Sequence, residues 1–218
     1  TLVLSGENTL SNAIYSAKAL ILVPQDGDVT VKGSGTLNLQ LAAGSYGAGI
    51  GGSTSAPAGT ITIDGGVING TSYGAGALIG GAGSSNGGAT VVVNGGTLDL
   101  NLLLNSGYNN SASCGAGIGG GSFASSSNAQ VSVTINGGTI TGRTDIGASV
   151  IGTGYGSSVR PNITINGGKI DVAATGDGAA IGTGSRQVYN DFAPARVTVN
   201  GGEVIASASG NGAAIGGG

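Results

Sequence analysis

The chain has 218 residues, of which 48 are glycine, seven are Lys or Arg and ten are Asp or Glu, for a net charge of −3 at pH 7. The absence of a basic cluster argues against a nucleic-acid partner, and no apolar run approaches the roughly 20 residues of a membrane-spanning helix. Histidine is absent, which removes the commonest general base and zinc ligand. We therefore expect no enzyme activity, no metal, no cofactor and no membrane insertion within this sequence.

The first 40 residues contain strand patterns in a diverged form. Residues 2–10 and 19–23 carry apolar runs and alternations of strand length, and residues 29–39 repeat the pattern with one extra corner residue. We interpret residues 1–40 as diverged N-terminal coils of the repeat that fills the rest of the chain.

Residues 41–218 repeat two phrases regularly. In the first phrase, an alternating apolar strand runs into an Asx-Gly-Gly corner. It occurs at 61–66, 91–96, 133–138, 163–168 and 197–202. In the second phrase, Gly-Ala and one small residue precede Ile-Gly. It occurs at 47–52, 115–120, 178–182 and 212–216, with looser copies at 76–80 and 148–152.

This self-similarity predicts a solenoid, and the spacing indicates its type. Asn and Gly tolerate the positive φ of a tight corner, and each copy holds three short apolar segments. We therefore predict an all-β fold, a parallel β-helix of about seven coils with three short strands per coil, forming one domain over 1–218. Methionine is absent and the chain begins within the pattern, so we expect a fragment of a longer protein.

Alignment on the Asx corner turns each strand position into a column of stacked residues. The inward columns are Ile, Val and Leu, which predicts a continuous core. The corner column should form a ladder of side-chain hydrogen bonds. It consists of Asp64, Asn94, Asn136, Asn166 and Asn200. Further along the repeat, Lys169 and Glu203 occupy neighbouring coils and should form a surface ion pair.

Outward columns offer two functional interpretations that the sequence argues against. A threonine column resembles a hydroxyl array that orders ice, but Asn162 and Arg196 interrupt the column beside it. Asp99 and Asp171 fall two coils apart, about 10 Å, a separation found in inverting glycosidases. Scattered surface carboxylates give such a distance by chance. The single cysteine, Cys114, is either a buried apolar residue or a reactive thiol.

The variable loops are where ligand specificity would lie. Aromatic, Arg and Asp side chains together suit sugar rings, by stacking and by bidentate hydrogen bonds. Loops 152–160 and 182–195 lie on adjacent coils and carry such residues. The predicted ligand-binding residues are Tyr155, Arg160, Arg186, Tyr189, Asp191 and Phe192. Alternatively, these aromatic rings fold down as lids over the coil edges.

The phrases GAGIGGG at 115–121, ITINGGKI at 163–170 and VTVNGGEV at 197–204 resemble Gly-rich repeats of bacterial cell-surface and secreted proteins, as does LVLSGENTLSNA at 2–13. Proteins with such repeats are often described as adhesin-like or carbohydrate-binding-domain-containing. The resemblance implies a right-handed parallel β-helix displayed outside the cell. It supplies no catalytic motif, and the Asp-rich calcium nonapeptide of β-roll toxins is missing.

The sequence therefore favours a non-catalytic, extracellular surface module that binds a glycan or polysaccharide through loop aromatics. The alternative is a structural stalk or fibre segment whose coils stack on neighbouring modules or subunits. A polysaccharide lyase or hydrolase would rest on fold analogy alone.

Overall fold

A computed structural model describes residues 1–84, 86–104, 114–126, 129–185 and 194–218. These residues form 21 short strands and no helix. Three strands make one coil, and the coils follow one another along the chain. They are β1 (Leu2–Leu4), β2 (Glu7–Ser11) and β3 (Ile21–Leu22); β4 (Asp28–Gly33), β5 (Thr36–Leu41) and β6 (Ile50–Gly51); β7 (Thr60–Ile63), β8 (Val67–Ser72) and β9 (Ile79–Gly80); β10 (Ala89–Val93), β11 (Thr97–Leu102) and β12 (Ile118–Gly119); β13 (Val131–Ile135), β14 (Thr139–Thr144) and β15 (Ile151–Gly152); β16 (Pro161–Ile165), β17 (Lys169–Ala174) and β18 (Ile181–Gly182); β19 (Arg196–Val199), β20 (Glu203–Ala208) and β21 (Ile215–Gly216).

Corresponding strands of successive coils pair in parallel to form three sheets of seven strands each. Sheet A holds the first strand of every coil, sheet B the second and sheet C the third. Six steps separate the first and last strands of a sheet, so the solenoid makes about six turns. The predicted all-β parallel β-helix with three strands per coil is confirmed. The strands before residue 41 pair in the same three sheets.

The core is the stack of inward columns that the repeat predicts. Ile61, Ile63, Ile68 and Ile79 are fully buried, and the hydrophobic cluster continues from coil to coil as far as Ile181. Each such side chain packs between the equivalent side chains of the coils before and after it, because the strand register pairs apolar residues of successive coils. Burial of one Ile or Val stabilises the fold by about 1.5–3 kcal/mol.

The predicted corner ladder is present, and it has a direction. Asn94 Nδ2 donates to Asp64 Oδ1, Asn136 to Asn94, Asn166 to Asn136 and Asn200 to Asn166, each at 2.8 Å. Every amide thus donates toward the N-terminal end. The ladder ends on Asp64, a carboxylate that accepts hydrogen bonds and needs to donate none.

Glycine in sheet C sets how closely the coils approach. The second residue of each sheet C strand from β6 onward is a glycine with φ between 129° and 142°. A Cβ on Gly119 would lie 2.1 Å from the carbonyl oxygen of Gly152 in the next coil. Neither the φ nor the space admits another residue, which explains the invariable Ile-Gly of the second phrase.

We predict that Gly119→Ala lowers the free energy of unfolding by at least about 4 kcal/mol, since the methyl group forces two coils apart and strains φ. The matched control is Gly6→Ala. Gly6 also has a positive φ of 65°, but a Cβ there meets nothing within 4 Å, so only about 1–2 kcal/mol of backbone strain is expected. Urea denaturation compares the two variants. Equal losses would contradict the close-approach explanation.

The direction of the corner ladder predicts that the column accommodates one carboxylate without losing a hydrogen bond, whereas a second carboxylate would remove one. Five side chains leave four gaps, and four amides supply one donor to each gap. Asn136→Asp would leave three donors for four gaps, however the amides turn. We expect it to destabilise the fold by about 1 kcal/mol.

In an Asp64→Asn background the same Asn136→Asp change restores four donors and should cost close to nothing. Denaturation of the two single variants and the double variant completes a mutant cycle. The penalty should also vanish near about pH 3, where a carboxyl is protonated. A cost for Asn136→Asp that is the same in both backgrounds would refute the directional ladder.

Candidate functional site

The loop between β15 and β16 stacks directly on the corresponding loop of the coil before it. Phe123 N donates to the carbonyl oxygen of Tyr155 at 2.9 Å, and Ser158 N donates to that of Ala124 at 2.8 Å. On the other side, Gly156 N donates to the carbonyl oxygen of Ser185 at 2.9 Å. The predicted contact between loops 152–160 and 182–195 is therefore confirmed as far as Ser185.

Tyr155 packs between coils. Its side chain is 8% exposed, and its ring meets that of Phe123 edge to face, with centroids 5.8 Å apart and planes at 88°. The ring fills space left by Gly147, where a Cβ would lie 2.7 Å from it. Burial raises the pKa of the Tyr155 phenol. This placement fits a packed lid, and a ligand contact by Tyr155 stays a prediction.

Arg160, five residues further, is exposed. It lies in a groove of about 390 Å³ at the corner between sheets C and A, with Gln130, Ser132 and Asn162 beside it. We call this the arginine groove. Val131 and Val159 contribute apolar lining. The other four predicted residues, Arg186, Tyr189, Asp191 and Phe192, lie outside the described residues, and their ligand contacts stay predictions.

A larger groove lies where sequence analysis did not expect a site, at the corner between sheets B and C of the first three coils. Its volume is about 500 Å³, within the range typical of ligand pockets. We call it the N-terminal groove. It is lined by Ser11, Asn12, Ile14, Gln40, Leu41, Ala42, Ala43, Thr71 and Tyr73.

The N-terminal groove combines an uncharged polar row with apolar walls. Ser11, Gln40 and Thr71 stand in register on successive coils, about 4.8 Å apart. Exposed Ile14 bounds the groove on the first coil and Tyr73 bounds it on the third. None of its lining residues carries a charge.

Asn12 lines this groove with one side of its amide already hydrogen-bonded. Its Oδ1 accepts a bond from Ala42 N at 2.9 Å, which orients the amide. Its Nδ2 is buried and has no acceptor among the described residues. A buried donor without an acceptor costs about 1–3 kcal/mol.

Three tyrosines mark the edge that carries the N-terminal groove. Tyr15, Tyr46 and Tyr73 each follow the sheet B strand of one of the first three coils and are exposed. The ring of Tyr15 lies over Gly44, where a Cβ would be 2.7 Å from it. The recurrence of a tyrosine in the same loop of three successive coils is the sequence signal that could have located this edge.

The carboxylates on the outer face of sheet B are positioned as predicted. Asp99 and Asp171 flank Thr141 in register, one coil to each side. The Thr141 hydroxyl donates to Asp99 Oδ1 at 3.2 Å, and Asn101 Nδ2 donates to the same oxygen at 3.4 Å. The described ranges contain no group of three or more His, Cys, Asp or Glu that could hold a metal ion.

Lys169 and Glu203 form the predicted ion pair at 3.6 Å.

Cys114 is buried in the core. Burial, reinforced by the negative charge of Asp145, raises the pKa of its thiol to about 12. The nucleophilic thiolate is therefore suppressed at neutral pH.

The raised pKa of Cys114 predicts a loss of stability in alkali. A thiol whose pKa is higher in the folded chain contributes stability that is complete below its unfolded pKa, about 9. That contribution is lost as the pH rises from 9 toward 12. Urea denaturation at pH 8, 9, 10 and 11 should show a steeper decline for the wild type than for Cys114→Ala. Parallel declines would contradict the assignment.

No model of a known protein family matches the chain, and neither curated proteins nor solved structures gave a match. The described residues include no helix long and apolar enough to cross a membrane. What the geometry defines is the class of the protein, a parallel β-solenoid with grooves at its corners.

Proposed function

We propose that this chain is a non-catalytic, extracellular surface module that binds carbohydrate, adhesin-like in role. The observation that carries the proposal is the N-terminal groove, an uncharged trough bordered by a loop tyrosine. Amide and hydroxyl groups along one side and an aromatic wall are the two features that saccharide recognition combines.

The dimensions of the N-terminal groove favour a neutral sugar. Its walls, Ile14 and Tyr73, stand two coils apart, about 10 Å, with Gln40 between them. Gln40 both donates and accepts hydrogen bonds, which matches the mixed character of sugar hydroxyls. The absence of charge in the lining gives an anionic ligand no counterion there.

A screen of neutral oligosaccharides and polysaccharides against wild type and Tyr73→Ala tests the proposal. We expect Tyr73→Ala to weaken binding about ten-fold, since the ring supplies the stacking surface. Gln40→Ala should weaken it too. The matched control is Tyr46→Ala, because Tyr46 is 38% exposed against 37% for Tyr73 but does not line the groove.

Binding that is equally reduced by Tyr46→Ala would refute the assignment of the groove. The absence of neutral-saccharide binding in every form would refute the N-terminal groove as a carbohydrate site, which is the observation that carries the proposed function. The screen also separates the second candidate. A stacking segment would bind no glycan and would sediment as end-to-end assemblies.

That second candidate, a stalk or fibre segment, has one specific observation in its favour. Val199 and Ile215 continue the buried columns of the core in the coil β19–β21, yet they are 49% and 45% exposed. A further coil or a neighbouring subunit stacked on this coil would bury them.

A further inference from the structure

The arginine groove differs from the N-terminal groove in one chemical respect, which is its charge. Among the described residues, the guanidinium of Arg160 lies within 4.0 Å of no carboxylate. The one ion pair of those residues joins Lys169 and Glu203. On a chain whose net charge is −3, the positive charge of Arg160 is paired with no carboxylate of the described residues.

Sheet A places a second cation next to this groove. Asn162, which lines the groove, pairs in register with Arg196 of the next coil, about 4.8 Å away. The outward column that holds both residues has its one acidic member at Asp28. Asp28 is four coils from Asn162, about 19 Å, beyond the screening length at physiological salt. Arg160 and Arg196 therefore give this corner two positive charges among the described residues.

The remaining lining suits a sugar ring. Ser132 and Asn162 are in register on adjacent coils, and with Gln130 they add hydroxyl and amide groups to the lining that includes Arg160. Val131 and Val159 add apolar surface. A guanidinium is planar and pairs with the two oxygens of a carboxylate through parallel hydrogen bonds.

We propose that the arginine groove binds the carboxylate of an acidic saccharide, with Arg160 as the residue that pairs with it. For the saccharide class this proposal rests on the proposed function. It assigns a second site, separate from the N-terminal groove and selective for a different ligand. Arg196 adds attraction from the adjacent coil.

The test is affinity electrophoresis and calorimetry of the wild type with polygalacturonate, alginate, hyaluronate and a sialylated oligosaccharide. Fully methyl-esterified polygalacturonate is the uncharged comparison. We expect binding to at least one acidic saccharide and, where that saccharide is polygalacturonate, at least about ten-fold weaker binding to its ester.

Variants assign the binding to the groove. Arg160→Gln should weaken binding about ten-fold or more, Arg160→Lys should weaken it less, and Arg196→Gln less than Arg160→Gln. The matched control is Arg143→Gln, which removes the same charge from the exposed face of sheet B. Because Arg160 is exposed, its variants should keep the melting temperature of the wild type, which circular dichroism checks.

Three results would overturn the proposal. The first is binding to none of the acidic saccharides, and the second is equal binding to polygalacturonate and to its methyl ester. The third is an equal loss of affinity for Arg143→Gln and Arg160→Gln, which would indicate general electrostatic attraction. Tyr73→Ala should leave this binding unchanged. The experiments can therefore refute the acidic-saccharide site and still support neutral-saccharide binding at the N-terminal groove. They can also refute the N-terminal groove and still support the acidic-saccharide site.

Discussion

The close vertical contact between coils is the constraint on which the rest of this structure depends. Parallel strands lie about 4.8 Å apart, and in sheet C the backbone of one coil leaves no room for a Cβ on the glycine of its neighbour. Once the backbones are in contact at this edge, every other position of the coil falls into register with its counterpart. The buried Ile and Val columns, the corner ladder and the polar rows of the outer faces are consequences of that register.

Register also explains why both grooves lie at corners. Within each sheet, equivalent strands of successive coils follow one another in order. The connections between strands, by contrast, vary in length from coil to coil. The N-terminal groove lies at the corner of sheets B and C, and the arginine groove at the corner of sheets C and A. Variable loops on a rigid scaffold are where binding sites commonly form.

The same distinction separates what could be predicted from the sequence from what could not. Ile118 and Asn136 occupy repeated positions, so spacing alone placed the first in the core and the second in the ladder. Tyr155 occupies a loop that repeats imperfectly, and the direction of its ring depends on the space beside Gly147, which lies in the connection between β14 and β15. The N-terminal groove was missed for a related reason. Its walls, Ile14 and Tyr73, are far apart in the sequence and border one groove only because the first three coils stack.

The stacking of coils in strict chain order has a mechanical consequence. Each coil contacts the coil before it and the coil after it, so tension on the two ends would peel coils from an end one at a time. Thirty residues separate equivalent positions in β15 and β18, and a released coil of that length extends to about 100 Å. A protein built in this way lengthens under load in discrete steps while the coils still wound keep their grooves intact.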